Sequence, residues 1–167
     1  MANQIALRIL TEPGDEAIVG GDAHLFLHEL GGPAVHSGLV VKSIETVDGR
    51  FSSAQLSEAV SPPADLHMAP TRLVCVENTH NRHGGTCCTP EAISDIAAVA
   101  HDASIPVHLD GARLFNAAVA LKRPAREFAR DVDSVTFCVS KGLAAPVGSV
   151  MCGSAAFIAR ARRVRKM

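Results

Sequence analysis

A lysine that follows the β-branched run Ser134-Val135-Thr136-Phe137-Cys138-Val139-Ser140 and an aspartate that closes Val107-His108-Leu109 are the residues of this chain best placed to do chemistry. Lys141 would set an amine at the mouth of a sheet, where it can form a Schiff base with an aldehyde. Asp110 would set a carboxylate at the end of the neighbouring strand, where it can keep a pyridine nitrogen protonated so that the ring accepts carbanion electrons. Together they suit pyridoxal 5′-phosphate; either alone says little. Desolvation at the strand end would favour the neutral amine that imine formation needs. The plainer readings are a surface turn lysine and a helix N-cap aspartate, since a helix follows Asp110.

Other reactive groups fall at the ends of predicted strands. Leu73–Glu77 runs into Asn78-Thr79-His80, and Asp110 into Gly111-Ala112-Arg113. In an open α/β sheet, ligands bind outside the carboxyl ends of the strands, so these motifs are expected to converge. Arg113 has the planar fork to hold a substrate carboxylate, or it pairs with Asp110. Ser140 can hydrogen-bond a phosphate or fix a turn. His24 and His80 are the candidate acid–base and ring-stacking groups; the other histidines take structural roles by default. A metal site from His80, His83, Cys87 and Cys88 matches no common zinc spacing, so none is expected.

These groups need a scaffold, and the pattern supplies one. Helices are expected at Ala2 to Leu10, Ala23 to Glu29, Ser52 to Val60, Pro90 to His101, Ala112 to Leu121 and Ala155 to Lys166. Strands are expected at Glu16 to Val19, Ala34 to Leu39, Leu73 to Glu77, Val107 to Leu109, Val135 to Val139 and Val147 to Cys152. Pro62, Pro63 and Pro70 mark a loop. The alternation predicts an α/β fold: a mostly parallel sheet with helices on both faces.

The chain has 167 residues, 47% of them hydrophobic, which suits one domain or a piece of one. Sixteen basic residues against seventeen acidic ones give no broad field for nucleic acid or an anionic membrane. The terminal Arg160-Ala161-Arg162-Arg163-Val164-Arg165-Lys166 suits a helix C-terminus better than an RNA contact. Five scattered cysteines argue against a disulfide framework and for a reducing compartment. With no membrane-length apolar run and no secretory leader pattern, a cytoplasmic protein acting on a small molecule is expected.

Taken in order, MANQIAL, PGDEAIVGGDAH with the following HELGGPAV, VENTHNRHGGT, IPVHLDGARLFNAAVAL, DSVTFCVSKGLAAPVGSVMCG and RARRVRKM resemble the low-specificity L-threonine aldolases of the aspartate-aminotransferase-like, fold type I superfamily. The neighbouring β-eliminating lyases match less well at ENTHN and HLDGAR. The resemblance implies Lys141 as the Schiff-base lysine, Asp110 as the partner of the pyridine nitrogen and His24 as the stacking histidine. It implies His80 near the substrate hydroxyl, Arg113 on the substrate carboxylate and Ser140 on the phosphate. It also implies retro-aldol cleavage of L-threonine, L-allo-threonine or a related β-hydroxy-α-amino acid to glycine and an aldehyde, in a homo-oligomer (dimer or tetramer).

Members of that family are longer. Residues 1–167 are therefore expected to form an incomplete large domain, lacking a phosphate loop upstream and a small C-terminal domain. A longer parent is expected to cleave threonine, and this chain to do so weakly or not at all, or to persist as an inert fragment.

Overall fold

Short, nearly continuously buried strands, most of them separated by helices, build a sheet that is covered twice. The computed structural model describes residues 1–62 and 65–167. Six strands, β1 (Glu16–Gly20), β2 (Val40–Ile44), β3 (Thr71–Glu77), β4 (Val107–Asp110), β5 (Ser134–Cys138) and β6 (Ser149–Gly153), form one sheet in the order β2-β1-β3-β4-β5-β6. Every pairing is parallel except β5 with β6, which is antiparallel. The order reverses between β1 and β3, the topological switch point where ligands collect in such sheets.

Each central strand serves both faces. Ile18, Val74, Val76, Val107 and Leu109 pack beneath α4 (Ser53–Ala59), α5 (Pro90–Asp102), α6 (Leu114–Leu121) and α7 (Ala125–Phe128). Their strand neighbours Ala17, Val19, Leu73 and Cys75 turn the other way, toward Leu7 of α1 (Ala2–Leu10) and Leu25 of α2 (His24–Leu27). Ile5, Ala6 and Ile9 of α1 then meet Phe157 and Ala161 of α8 (Ala155–Val164). The expected architecture, a mostly parallel sheet with helices on both faces, is the one observed.

The local signals acted as capping chemistry requires. Ser52 and Gln55 form a reciprocal capping box at α4. Thr89 accepts from Ala92 N–H at 3.2 Å, and Pro90 follows at the first helical position of α5. Thr89→Ala is expected to cost about 1 kcal/mol, the usual loss on removing an N-cap oxygen, read as a lowered melting temperature without a change in fold.

Three readings of the sequence need correction. Ala34 to Leu39 is no strand: Gly32–Ser37 is a helix, α3, and the strand starts later, at Val40. Pro33 sets the first turn of α3, and Gly38, at φ +66°, ends it in the left-handed conformation a C-cap favours. The helix expected from Ala112 begins at Leu114 because residues 112 and 113 form the turn that leaves β4. The strand expected from Val147 begins at Ser149. α7, next to Pro124, was not anticipated. Pro63 of the proline loop lies outside the described residues.

Candidate functional site

Four groups from three strand ends line one cavity of about 120 Å3 at the carboxyl edge: His24 after β1, Asp110 and Arg113 at the end of β4, and Lys141 after β5. Met1, Ala2 and Asn3 of the first helical turn close it from above the sheet, and Glu77 forms part of its wall. The expected convergence holds for these four residues.

Asp110 is 5% exposed. Its Oδ1 accepts from Ala112 N–H at 3.1 Å and its Oδ2 from the Asn3 amide at 2.7 Å, so Arg113 is not its partner. Burial pushes the Asp110 carboxyl above its ordinary value, partly opposed by the Asn3 and Ala112 bonds. A cation arriving at this carboxylate would offset that desolvation.

Lys141 departs from expectation in one respect. It is exposed, whereas its position at a strand end predicts a desolvated amine. It sits in a turn closed by Ala144 N–H to Lys141 C=O at 2.9 Å and Ala145 N–H to Val139 C=O at 2.9 Å.

His24 Nδ1 lies 3.1 Å from Glu29 Oε1, and its backbone N–H donates to Glu77 Oε2 at 2.6 Å. Glu29 also accepts from Asn3 at 2.8 Å and from Gln4 at 2.5 Å. Burial alone would raise the Glu29 carboxyl, but the donations from Gln4, Asn3 and His24 prevail and hold it below its ordinary value.

Two predicted site residues fall elsewhere. His80 is 1% exposed and does not line the cavity. Among the described residues neither of its ring nitrogens has a hydrogen-bond partner, and Nε2 lies 3.9 Å from Glu77 Oε2. Gly49, at φ +85°, packs against this imidazole, where a Cβ would come within 2.3 Å of the ring. Burial holds the His80 ring below the ordinary histidine value, despite the nearby Glu77 charge. Ser140 lines an adjoining cavity of about 530 Å3, which also takes in Arg162 and Arg165 and shares Met1, Ala2 and Ser149 with the first. Its hydroxyl makes a long contact of 3.4 Å to Gly148 C=O.

The sequence reading also missed Asn3, Glu29 and Glu77. For Asn3 a signal was present: an amide among the buried positions Ile5, Ala6, Leu7 and Ile9 of α1. Glu29 and Glu77 carried no such signal, because their partners lie far away in sequence.

Among the described residues, His24, Glu29 and Asp110 are the group whose ligand atoms could meet on a metal ion, all within 4.8 Å of one another. The Asn3 amide already stands between the two carboxylates. His80, His83, Cys87 and Cys88 do not assemble in that way. All five cysteines are free thiols. No helix among the described residues is long and apolar enough to cross a membrane.

The donor set fits pyridoxal phosphate in kind. It offers a free amine, a buried acid lacking a cation, an imidazole beside them and a guanidinium without an acidic partner among the described residues.

The family model described as beta-eliminating lyase matches residues 1–167. A probable low-specificity L-threonine aldolase 2 of Arabidopsis thaliana is 40% identical over 169 residues, covering 99% of this chain and 48% of that protein. The threonine aldolase of Leishmania major superimposes with a TM-score of 0.85 at 25% identity, covering 98% of this chain and 48% of its own. N-succinyldiaminopimelate aminotransferase from Mycobacterium tuberculosis shares the fold, with a TM-score of 0.74 at 20% identity, covering 99% of this chain and 42% of its own. The chain thus spans about half the length of the relatives it matches.

Proposed function

The chain belongs to the beta-eliminating lyase family, and from that premise we propose that it carries the cofactor-holding half of an aldolase. The substrate class is L-threonine, L-allo-threonine or a related β-hydroxy-α-amino acid, cleaved to glycine and an aldehyde. The observation that carries this reading is the shared cavity of Lys141, Asp110, His24 and Arg113.

When bound, pyridoxal phosphate supplies the sink for the electron pair left on the substrate α-carbon as Cα–Cβ breaks. Lys141 would hold it through Nζ, Asp110 would face its ring nitrogen and His24 would lie against the ring. Ser140, on the adjoining cavity with Arg162 and Arg165, would reach its phosphate. Arg113 binds the substrate carboxylate through its fork. His24 lines the cavity and offers Nε2 as the base for the β-hydroxyl proton, whereas His80 connects to the cavity through Glu77. Lys141 Nζ carries the proton that the α-carbon takes up to give glycine.

Free thiols suit a reducing cytoplasm. Exposed Leu30 and Val35 suit burial in a homo-oligomer of the longer form. A second reading is an impaired, weakly binding form, favoured by the smallness of the cavity and by the Asn3 amide already on Asp110.

Purified chain titrated with pyridoxal phosphate is expected to develop the absorption of a lysine-bound cofactor. It should release aldehyde from L-threonine or L-allo-threonine, slowly compared with longer relatives. Absence of the absorption band sinks the proposal. A band with no aldehyde from either substrate selects the second reading.

A further inference from the structure

Asn3 is the most completely used side chain in the site. Its amide nitrogen donates to Asp110 Oδ2 at 2.7 Å and to Glu29 Oε1 at 2.8 Å, so both N–H bonds are spent on carboxylates. Its carbonyl oxygen accepts from Thr136 Oγ1 at 3.1 Å and lies 3.2 Å from His108 Nε2. His108 is fully buried, and its Nδ1 lies 2.8 Å from Ser134 Oγ. Burial lowers its pKa to about 4, so the ring is neutral. A neutral ring that donates from Nε2 must accept at Nδ1, and the Ser134 hydroxyl can supply that proton. The chain of donors therefore fixes which way the Asn3 amide faces. A flipped amide would set its oxygen against two carboxylates, which have no proton to give.

We propose that Asn3 and Glu29 act as a positioning pair, in which the locked Asn3 amide orients the Asp110 carboxyl toward the cofactor ring and Glu29 holds His24 through Nδ1, leaving Nε2 to the cavity. The assignment rests on the reading of Asp110 and His24 in the preceding section and adds two cavity-lining residues that act through them. Two acids sharing one amide are coupled with opposite sense. Removing the amide strips Asp110 of a donor and leaves Glu29 facing it, whereas neutralising Glu29 removes a like charge.

Several other groups face Asp110. His24 approaches from α2, Cys75 and Glu77 from β3, and His108 from its own strand, while Arg113 and Lys141 share the cavity. None of them predicts opposite responses to Asn3→Ala and Glu29→Gln.

The test follows the carboxyl carbon of Asp110 and the ring nitrogens of His24 by NMR across pH in the cofactor-free chain. Asn3→Ala is expected to raise the Asp110 midpoint by about one pH unit, a tenfold change in proton affinity, and Glu29→Gln to lower it. His24 is expected as the Nδ1–H tautomer in the parent and to lose that preference in Glu29→Gln. If Asn3→Ala does not fold, Thr136→Val removes one donor to the Asn3 carbonyl and should move Asp110 the same way by less. Shifts of the same sign in both variants, no shift in either, or an unchanged His24 tautomer overturn the proposal. A parent that shows these shifts yet takes up no pyridoxal phosphate counts against the aldolase reading and leaves the positioning pair standing.

Discussion

Lys141→Ala is expected to abolish covalent cofactor attachment and to cut aldehyde release by about a thousandfold or more, since the proposed function has one amine both hold the cofactor and move a proton. The substitution should leave the fold intact. Lys141 is exposed, and the hydrogen bonds that close its turn come from the backbone of residues 139, 141, 144 and 145. Alanine preserves all of them. The measurement is borohydride reduction followed by peptide mass analysis, alongside turnover. The parent should carry the cofactor mass on the peptide containing Lys141, and the variant should carry none at normal thermal stability. An adduct on another lysine, with turnover retained, would remove Lys141 from the mechanism.

Asp110→Asn separates what the carboxylate costs the fold from what it contributes to the site. A charge-assisted hydrogen bond to the ring nitrogen is worth about 1.5–3 kcal/mol, so its loss should weaken cofactor binding by roughly tenfold to a hundredfold. The effect on folding has the opposite sense. Burial raises the Asp110 pKa in the folded chain, so the unfolded chain releases this proton first. Stability contributed by the protonated form is full below the unfolded carboxyl's range and declines as pH rises through the window up to the folded value. Asparagine carries no such dependence. The melting temperature of the variant relative to the parent should therefore rise from acid to neutral pH in the cofactor-free protein. A difference that stays flat with pH, or runs the other way, would show that Asp110 is not desolvated as described.

Much of the site could be read from residue order because a parallel sheet converts chain position into place. Asp110 ends a strand and Lys141, Arg113 and His24 each follow one, and strands sharing one direction deliver their ends to one edge. His80 also follows a strand, but the turn beyond Glu77 folds back through a bridge to Thr86 and buries the imidazole under Gly49. Strand-end logic gives the edge and says nothing of how far a loop then turns. Asn3 lies 107 positions from Asp110 and 133 from Thr136. Its role comes from the seating of α1 over the sheet, which no local pattern encodes. The misread stretch at Ala34 to Leu39 shows the same limit on a smaller scale. Short apolar runs fit either period, and the flanking Pro33 and Gly38 decided for helix.

Strand β4 has four residues, all buried, and they divide strictly between two environments. Val107 and Leu109 enter the hydrocarbon layer beneath the helices, while His108 and Asp110 bond to Asn3 on the opposite face. Deleting or inserting a single residue there would exchange the two sets, driving a carboxylate into oil and a leucine into the polar face beneath α1. Side chains in this segment can be exchanged only at constant length, because a change of spacing would disrupt the hydrocarbon layer and the Asn3 bonds in the same event.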